Sequence, residues 1–219
     1  LGLCPKRKNH PLCGWMIIAI YKTEPAAGEC ALNIGSEESG GADMNLLEML
    51  KHRRSVREYT GAPIPKEQLE KILAAGLLSP SGRSRKPWEL VIVQNRDMLK
   101  ELVKCREGAA NMLEKAGCAI LVFADPEKTD VWTEDCSIVM SNMHLMADSL
   151  GLGSCWIQGR LRKAQNGMTT EEFCRQLLQV PKRYQLEAIL SVGVTEKHPD
   201  PHSLEEAELN KVHNEIWEQ

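Results

Sequence analysis

Aromatic residues are scarce in this 219-residue chain: two Phe, three Tyr and five Trp, 5% in all. That is too few for the stacking platforms that hold single-stranded nucleic acids. A cationic surplus is also missing. The formal net charge is −3, whereas nucleic-acid-binding domains cluster an excess of Lys and Arg. No nucleic-acid partner is expected. No apolar run near the start reaches the roughly 20 residues that span a bilayer; the longest is Trp15 to Tyr21. No membrane partner is expected either. Lys6, Arg7 and Lys8 precede that run, but no small-residue cleavage site of a secretory signal follows it.

Eight cysteines stand at positions 4, 13, 30, 105, 118, 136, 155 and 174. They contain no Cys-x-x-Cys pair and no Cys/His cluster at zinc spacing, so no metal is expected. Cys4, Cys13 and Cys30 are too few and too far apart for a ferredoxin motif. Cys118, Cys136 and Cys155 fall inside apolar runs, where a free thiol behaves as a small hydrophobe. Disulfide frameworks belong mainly to small secreted chains, so reduced core thiols and a cytoplasmic location are expected.

With 42% hydrophobic residues the chain can bury an ordinary domain core. Residues 1–44 show no sustained period and are punctuated by Pro, Gly, Cys and Ser. They read as an N-terminal extension (a tag, a leader or a poorly ordered segment) ahead of one domain over 45–219. The pattern changes at Asn45, where Asn45-Leu46-Leu47-Glu48 resembles a capping box. Leu46, Leu47 and Leu50 then give one apolar face. Pro65 opens a second helix in its first turn, with Leu69, Ile72, Leu73, Gly76 and Leu77 on the buried side, and Ser79-Pro80 stops it. Strands are expected at 88–93, 118–123, 154–157 and 186–194. Helices are expected over 97–105, 109–115, 133–150 and from Thr169 or Thr170 to Leu178. The 133–150 segment is apolar around much of its girth, the mark of a buried central helix, and Gly151 supplies its left-handed cap. The alternation is too irregular for a doubly wound sheet, so the fold class is α+β.

Three segments can carry chemistry. Arg53-Arg54-Ser55-Val56-Arg57, at a helix end, places three guanidiniums and a hydroxyl where they can clamp a phosphate. Ser79 to Trp88 is a small, polar and cationic loop before a strand, with donors that suit the carbonyl and ring-nitrogen edge of a flavin. Gly151-Leu152-Gly153-Ser154-Cys155-Trp156-Ile157-Gln158-Gly159 lets backbone approach a flat ring, but it is not the dinucleotide fingerprint of a nicotinamide-binding Rossmann unit. Each also has a plainer reading on its own: a solvated basic helix end, an ordinary connection, and a helix cap running into a buried strand.

In this order and spacing the three segments resemble the hallmark blocks of the nitroreductase family, over about Asn45 to Trp217. The resemblance implies an α+β sandwich with a mostly antiparallel central sheet flanked by helices. It implies an interlocked homodimer, a terminal segment crossing onto the partner, and FMN at the dimer interface. Arg53, Arg54 and Ser55 would hold the FMN phosphate and ribityl end. Arg57 would lie near the O2 edge of the ring and the path of the nicotinamide. Pro80, Ser81 and Gly82 would pack on the ring from the opposite protomer, and Ser84 would meet its pyrimidine edge. Ile157, Gln158 and Gly159 would back the flavin, with the Gln158 backbone N–H near N5. Lys211 would complete the phosphate site, with Lys197 its rival. Three positions depart from the family pattern: Ser84 where Asn is frequent, Lys86 where Gln is frequent, and Gln158 where part of the family has Glu. Lys86 would favour a negatively charged flavin or substrate, or simply face solvent.

The activity implied is ping-pong transfer from NADH or NADPH, through FMN, to a small-molecule acceptor such as a nitroaromatic or a quinone. The flavin carries the chemistry, so no catalytic triad or dyad is assigned. Two alternatives stand beside this reading. One is a different flavin reaction such as reductive dehalogenation, whose enzymes usually carry a lid that is not evident between Val93 and Trp132. The other is a non-catalytic flavin-binding or storage protein. His144 reads as a packed residue, His198, His202 and His213 as solvated, and Glu134 and Asp135 as helix N-terminal charges.

Overall fold

The computed structural model of the chain describes residues 45–217, so the expected extension over 1–44 lies outside the described residues. Helix α1 (Leu46–His52) begins where Asn45 Oδ1 accepts the Glu48 N–H, while the Glu48 carboxylate turns to Lys51. Helix α2 (Lys66–Leu77) has Pro65 at its N-cap rather than inside its first turn. Pro65 stays extended at ψ 136°, and its carbonyl accepts the Leu69 N–H.

Strands β1 (Trp88–Val93), β2 (Cys118–Ala124), β3 (Gly153–Gln158) and β4 (Gln185–Gly193) form one sheet in the order β1-β2-β4-β3. Every neighbouring pair is antiparallel. Strand β2 is central and buried throughout, which is why it reads as an unbroken apolar run. Its side chains alternate between two cores, as the pleat requires. Cys118, Ile120 and Val122 join α2 and α4 (Trp132–Ser149). Ala119, Leu121 and Phe123 join Leu99 and Leu102 of α3 (Arg96–Leu102) and Cys174 of α5 (Thr170–Leu178). The result is a three-layer α+β sandwich.

Helix α2 lies close on α4 because Gly76 leaves room; a Cβ there would stand 2.7 Å from Met143 Cγ. Of the two starts considered for α5, Thr169 is the N-cap, and it forms a capping box in which Thr169 and Glu172 bond each other's backbone. Gly151 takes φ 72° just after α4, as its cap role requires. Two expected helices are shorter. The 97–105 segment is α3 followed by a 3-10 turn, Val103–Cys105, and 109–115 is only a 3-10 turn, Asn111–Lys115. Gly108, at φ 67°, breaks the chain just before the second of these turns.

Strand β4 carries a bulge. Val122 faces Ala188 and Phe123 faces Leu186, so Glu187 is the extra residue. Its carbonyl accepts the N–H groups of Gly159 (3.1 Å) and Arg160 (2.9 Å). The bulge thereby fixes the chain where it leaves β3.

Candidate functional site

The Arg53–Arg57 strip runs along the start of β3. The Val56 N–H donates to the Ser154 carbonyl at 2.9 Å, and Ser55 forms a parallel bridge with Ser154. Two glycines make room for the strip. A Cβ at Gly153 would stand 2.7 Å from Val56 Cγ1, and one at Gly193 would stand 2.7 Å from Tyr59 Cδ1. The Tyr59 hydroxyl then donates to the Val56 carbonyl at 2.8 Å. Burial raises the phenol well above its ordinary pKa, so it stays a neutral pin.

Arg53 is held from behind. Its Nη1 stands 3.1 Å from His144 Nε2. A guanidinium can only donate, so Nε2 accepts and Nδ1 carries the ring proton. That Nδ1 lies 2.5 Å from Ser154 Oγ. Burial, and after it the Arg53 charge, push His144 down to a pKa of about 4. His144 is thus a packed residue, as the sequence suggested, and it also aims Arg53. Arg54 donates to the Asp200 carbonyl, and the His202 N–H to the Lys51 carbonyl at 2.8 Å. The segment after β4 is therefore laid back over the end of α1.

A cleft of about 470 Å³ opens beside β3. Arg57, Arg106, Asn111 and Met112 line it, together with Cys155, Trp156, Ile157 and Gln158. Among the described residues strand β3 is an edge strand, so no described strand pairs with its outer backbone groups along Cys155–Gln158, which a ligand could meet. Gln158 commits its side chain elsewhere. Its amide nitrogen donates to the Glu187 carbonyl and carboxylate, both at 3.2 Å, and its Oε1 accepts from Trp156 Nε1 at 2.8 Å. What Gln158 offers a ligand is its backbone. Gly159 is buried at the strand's end, where a Cβ would stand 2.7 Å from Leu186 Cδ2.

The structure brings Arg57, Ile157 and Gln158 into one cleft and sets Arg53, Arg54 and Ser55 on the adjoining strip. Pro80, Ser81, Gly82 and Ser84 do not line that cleft. Their loop is tied to α4: the Gly82 N–H donates to Asp135 Oδ1 at 2.8 Å, and Asn142 Nδ2 to Ser79 Oγ at 2.8 Å. Arg83, Ser84 and Lys86 hold positive φ of 52°, 54° and 44°. Lys86 is exposed. Lys211 sits in a C-terminal 3-10 turn, Leu209–Lys211, and pairs with Glu208; Lys197 is exposed just after β4.

Three of these side chains have partners that the sequence did not disclose. Asp135 and Glu134 do occupy the first turn of α4, but Asp135 is buried and anchors the Gly82 loop as well. His198 is not simply solvated: its Nε2 lies 3.0 Å from Asp148. His202 Nδ1 lies 2.6 Å from the Glu206 carboxylate. Sequence reasoning also missed Arg106 and Asn111 in the cleft wall; their only trace was a broken periodicity around Gly108. The donor set fits a phosphorylated, flat heterocycle. The guanidiniums at one end could hold a phosphate, and the strand edge could hold a ring with polar edges.

The chain belongs to the nitroreductase family, whose sequence profile matches residues 50–194. A protein of Archaeoglobus fulgidus named NADH dehydrogenase/NAD(P)H nitroreductase is 32% identical over 176 residues, which cover 78% of this chain and 98% of its own. An FMN-dependent nitroreductase of Clostridium difficile, known in structure, is 39% identical with a TM-score of 0.76; the match covers 78% of this chain and all of that one, 100%. A nitroreductase of Desulfovibrio desulfuricans, solved in complex with FMN, shares the fold at 24% identity and a TM-score of 0.61, over 77% of this chain and 97% of its own.

Proposed function

We propose that this chain is an FMN-dependent oxidoreductase that uses NADH or NADPH to reduce nitroaromatics, quinones or similar conjugated electrophiles. The observation that carries the reading is the cleft on the free edge of β3, with Arg57 in its wall and the Arg53–Ser55 strip beside it. The FMN-dependent relative at 39% identity supports the cofactor.

When bound, FMN supplies a ring that takes up hydride from a nicotinamide and gives electrons to an acceptor. The residues bind and orient. Arg53, Arg54 and Ser55 are assigned to the phosphate and ribityl chain, with Lys211 or Lys197 completing that end. Ile157 gives the ring an apolar backing, and the β3 backbone at Gln158, held by the bulge through Gly159, meets its polar atoms. Arg57 places a fixed positive charge at the cleft, where it holds negative charge on the ring's O2 edge. No side chain is assigned as a catalytic acid or base. One open cleft serves donor and acceptor in turn, the condition for a ping-pong order.

The same reading makes the protein a homodimer, with Pro80, Ser81, Gly82 and Ser84 reaching the partner's ring. Helix α1 buries none of its residues, and Leu46, Leu47 and Leu50 stand exposed on it. Leu209, Val212, Ile216 and Trp217 are exposed on the tail. So many large apolar groups on a surface favour a partner. The flavin-binding unit is 45–219, with 1–44 as its extension. A cytoplasmic location is supported by the free buried thiols Cys105, Cys118, Cys136, Cys155 and Cys174. Among the described residues, no helix is long and apolar enough to cross a membrane.

The test is release of the chromophore from purified protein by denaturation. One FMN per chain is expected. A colourless protein that also fails to take up added FMN overturns the reading.

A further inference from the structure

Where the segment after β4 folds back over α1, three side chains from distant parts of the chain meet. His52 comes from α1, Asp148 from the last turn of α4, and His198 from the tail. None of them lines the cleft. His52 Nδ1 lies 2.7 Å from Asp148 Oδ2, and His198 Nε2 lies 3.0 Å from Asp148 Oδ1. The two imidazoles stack with centroids 4.3 Å apart and planes 18° from parallel. All three potential ligand atoms fall within 4.8 Å of one another. The Asp148 side chain is only 5% exposed.

His198 carries the second, independent sign. Its Nδ1 lies 2.8 Å from the Pro199 carbonyl oxygen. A carbonyl only accepts, so Nδ1 bears the ring proton. In a neutral ring, Nε2 then turns a lone pair toward a carboxylate oxygen, and two acceptors face each other. Either a second proton or a metal ion between them resolves that conflict. A ring whose remote N–H is bonded to a backbone carbonyl is the arrangement that orients a ligating histidine and raises its basicity.

We infer that His52 Nδ1, the Asp148 carboxylate and His198 Nε2 form a binding site for a divalent transition-metal ion of the Zn²⁺ or Ni²⁺ kind. Two imidazoles and one carboxylate suit such ions. Ca²⁺ and Mg²⁺ prefer sets made of oxygens alone. Ligands at about 2.0–2.1 Å from a tetrahedral Zn²⁺ stand roughly 3.4 Å from each other, so the present N···O separations need to open by about half an ångström. A water can take the fourth position. The ion would staple the tail to α1 and α4, next to Arg53 and Arg54 and to the Asp200 carbonyl that Arg54 holds.

The test is calorimetric titration of flavin-loaded, chelator-treated protein with Zn²⁺. Wild type is expected to take up one more Zn²⁺ per chain than His198→Ala, a comparison that subtracts any zinc held by thiols. Asp148→Asn is expected to bind at that site roughly 100-fold more weakly or not at all. His202→Ala is expected to leave uptake unchanged. Equal uptake by wild type and His198→Ala overturns the site and leaves a hydrogen-bonded His–Asp–His cluster. Should His198→Ala fail to fold, wild-type melting decides. A rise in Tm with Zn²⁺ that a chelator reverses and that Asp148→Asn lacks supports the site, and an unmoved Tm, or an equal rise in both proteins, overturns it.

Discussion

Arg53 and His144 act as one unit: the guanidinium Nη1 stands 3.1 Å from Nε2, and Nδ1 of the same ring stands 2.5 Å from Ser154 Oγ. The link runs from the Arg53–Arg57 strip through α4 to β3, and it sets where the Arg53 charge points. A hydrogen bond to a charged group contributes about 1.5–3 kcal/mol. His144→Ala is therefore expected to weaken FMN binding roughly 10- to 100-fold, read by fluorescence titration of the flavin-free protein. An unchanged Kd would show that Arg53 needs no support from behind.

The same ring gives a pH dependence. In the unfolded chain an imidazole titrates near 6.5; in the fold, burial and then the Arg53 charge bring His144 to about 4. Between these values the unfolded chain binds a proton that the folded chain does not. The stability tied to neutral His144 is thus fully present above about pH 6.5 and is lost as pH falls toward 4, by about 2–3 kcal/mol. Urea denaturation at pH 7 and 4.5 is expected to show wild type losing that much more than His144→Gln. Equal losses in both proteins would remove His144 as the cause.

Gly153→Ala and Gly193→Ala each press a methyl group against the strip, at 2.7 Å from Val56 and Tyr59 respectively. Overpacking of this kind costs about 1–3 kcal/mol, and each kcal/mol moves Tm by about 2–4 °C in a domain of this size. Calorimetry is expected to show a Tm several degrees lower, together with weaker FMN retention. Melting and flavin content like wild type would mean the strip yields freely.

These relationships differ in how far the sequence discloses them. The unbroken apolar run of β2 was readable because both of its faces are covered, and the caps at Asn45 and Thr169 were readable because a helix start is a local event. The five-residue arginine strip was readable for the same reason. Its support was not, since His144 lies 91 residues away. The bulge at Glu187 depends on the register against β2, which no single segment encodes. The 3-10 turn at 111–115 looked helical because a period of about three is hard to tell from 3.6 over five residues. His52, Asp148 and His198 are separated by 96 and 50 residues, so only the folded chain unites them.

The proposed dimer is expected to break at α1. Leu47, 51% exposed on a helix that buries none of its residues, is expected to lie against the partner. Leu47→Glu is expected to shift the protein from dimer toward monomer in sedimentation and to lower flavin content with it. A wild type that sediments as a monomer while holding full FMN would contradict the shared site.

Arg57, in the cleft wall, is expected to matter more for hydride uptake than for cofactor retention. Arg57→Ala should slow reduction by the nicotinamide about 10-fold or more while changing FMN affinity less, as stopped-flow absorbance and titration would show. Equal losses in both would make Arg57 a binding residue alone.

The most direct test of the whole account is the visible spectrum of the purified protein, recorded without oxygen before and after adding NADH or NADPH. A flavin spectrum that bleaches with one of them, and recovers when a quinone or nitroaromatic is added, is the expected result. A flavin spectrum that neither nicotinamide bleaches would contradict the proposed activity and leave a protein that binds flavin without using it.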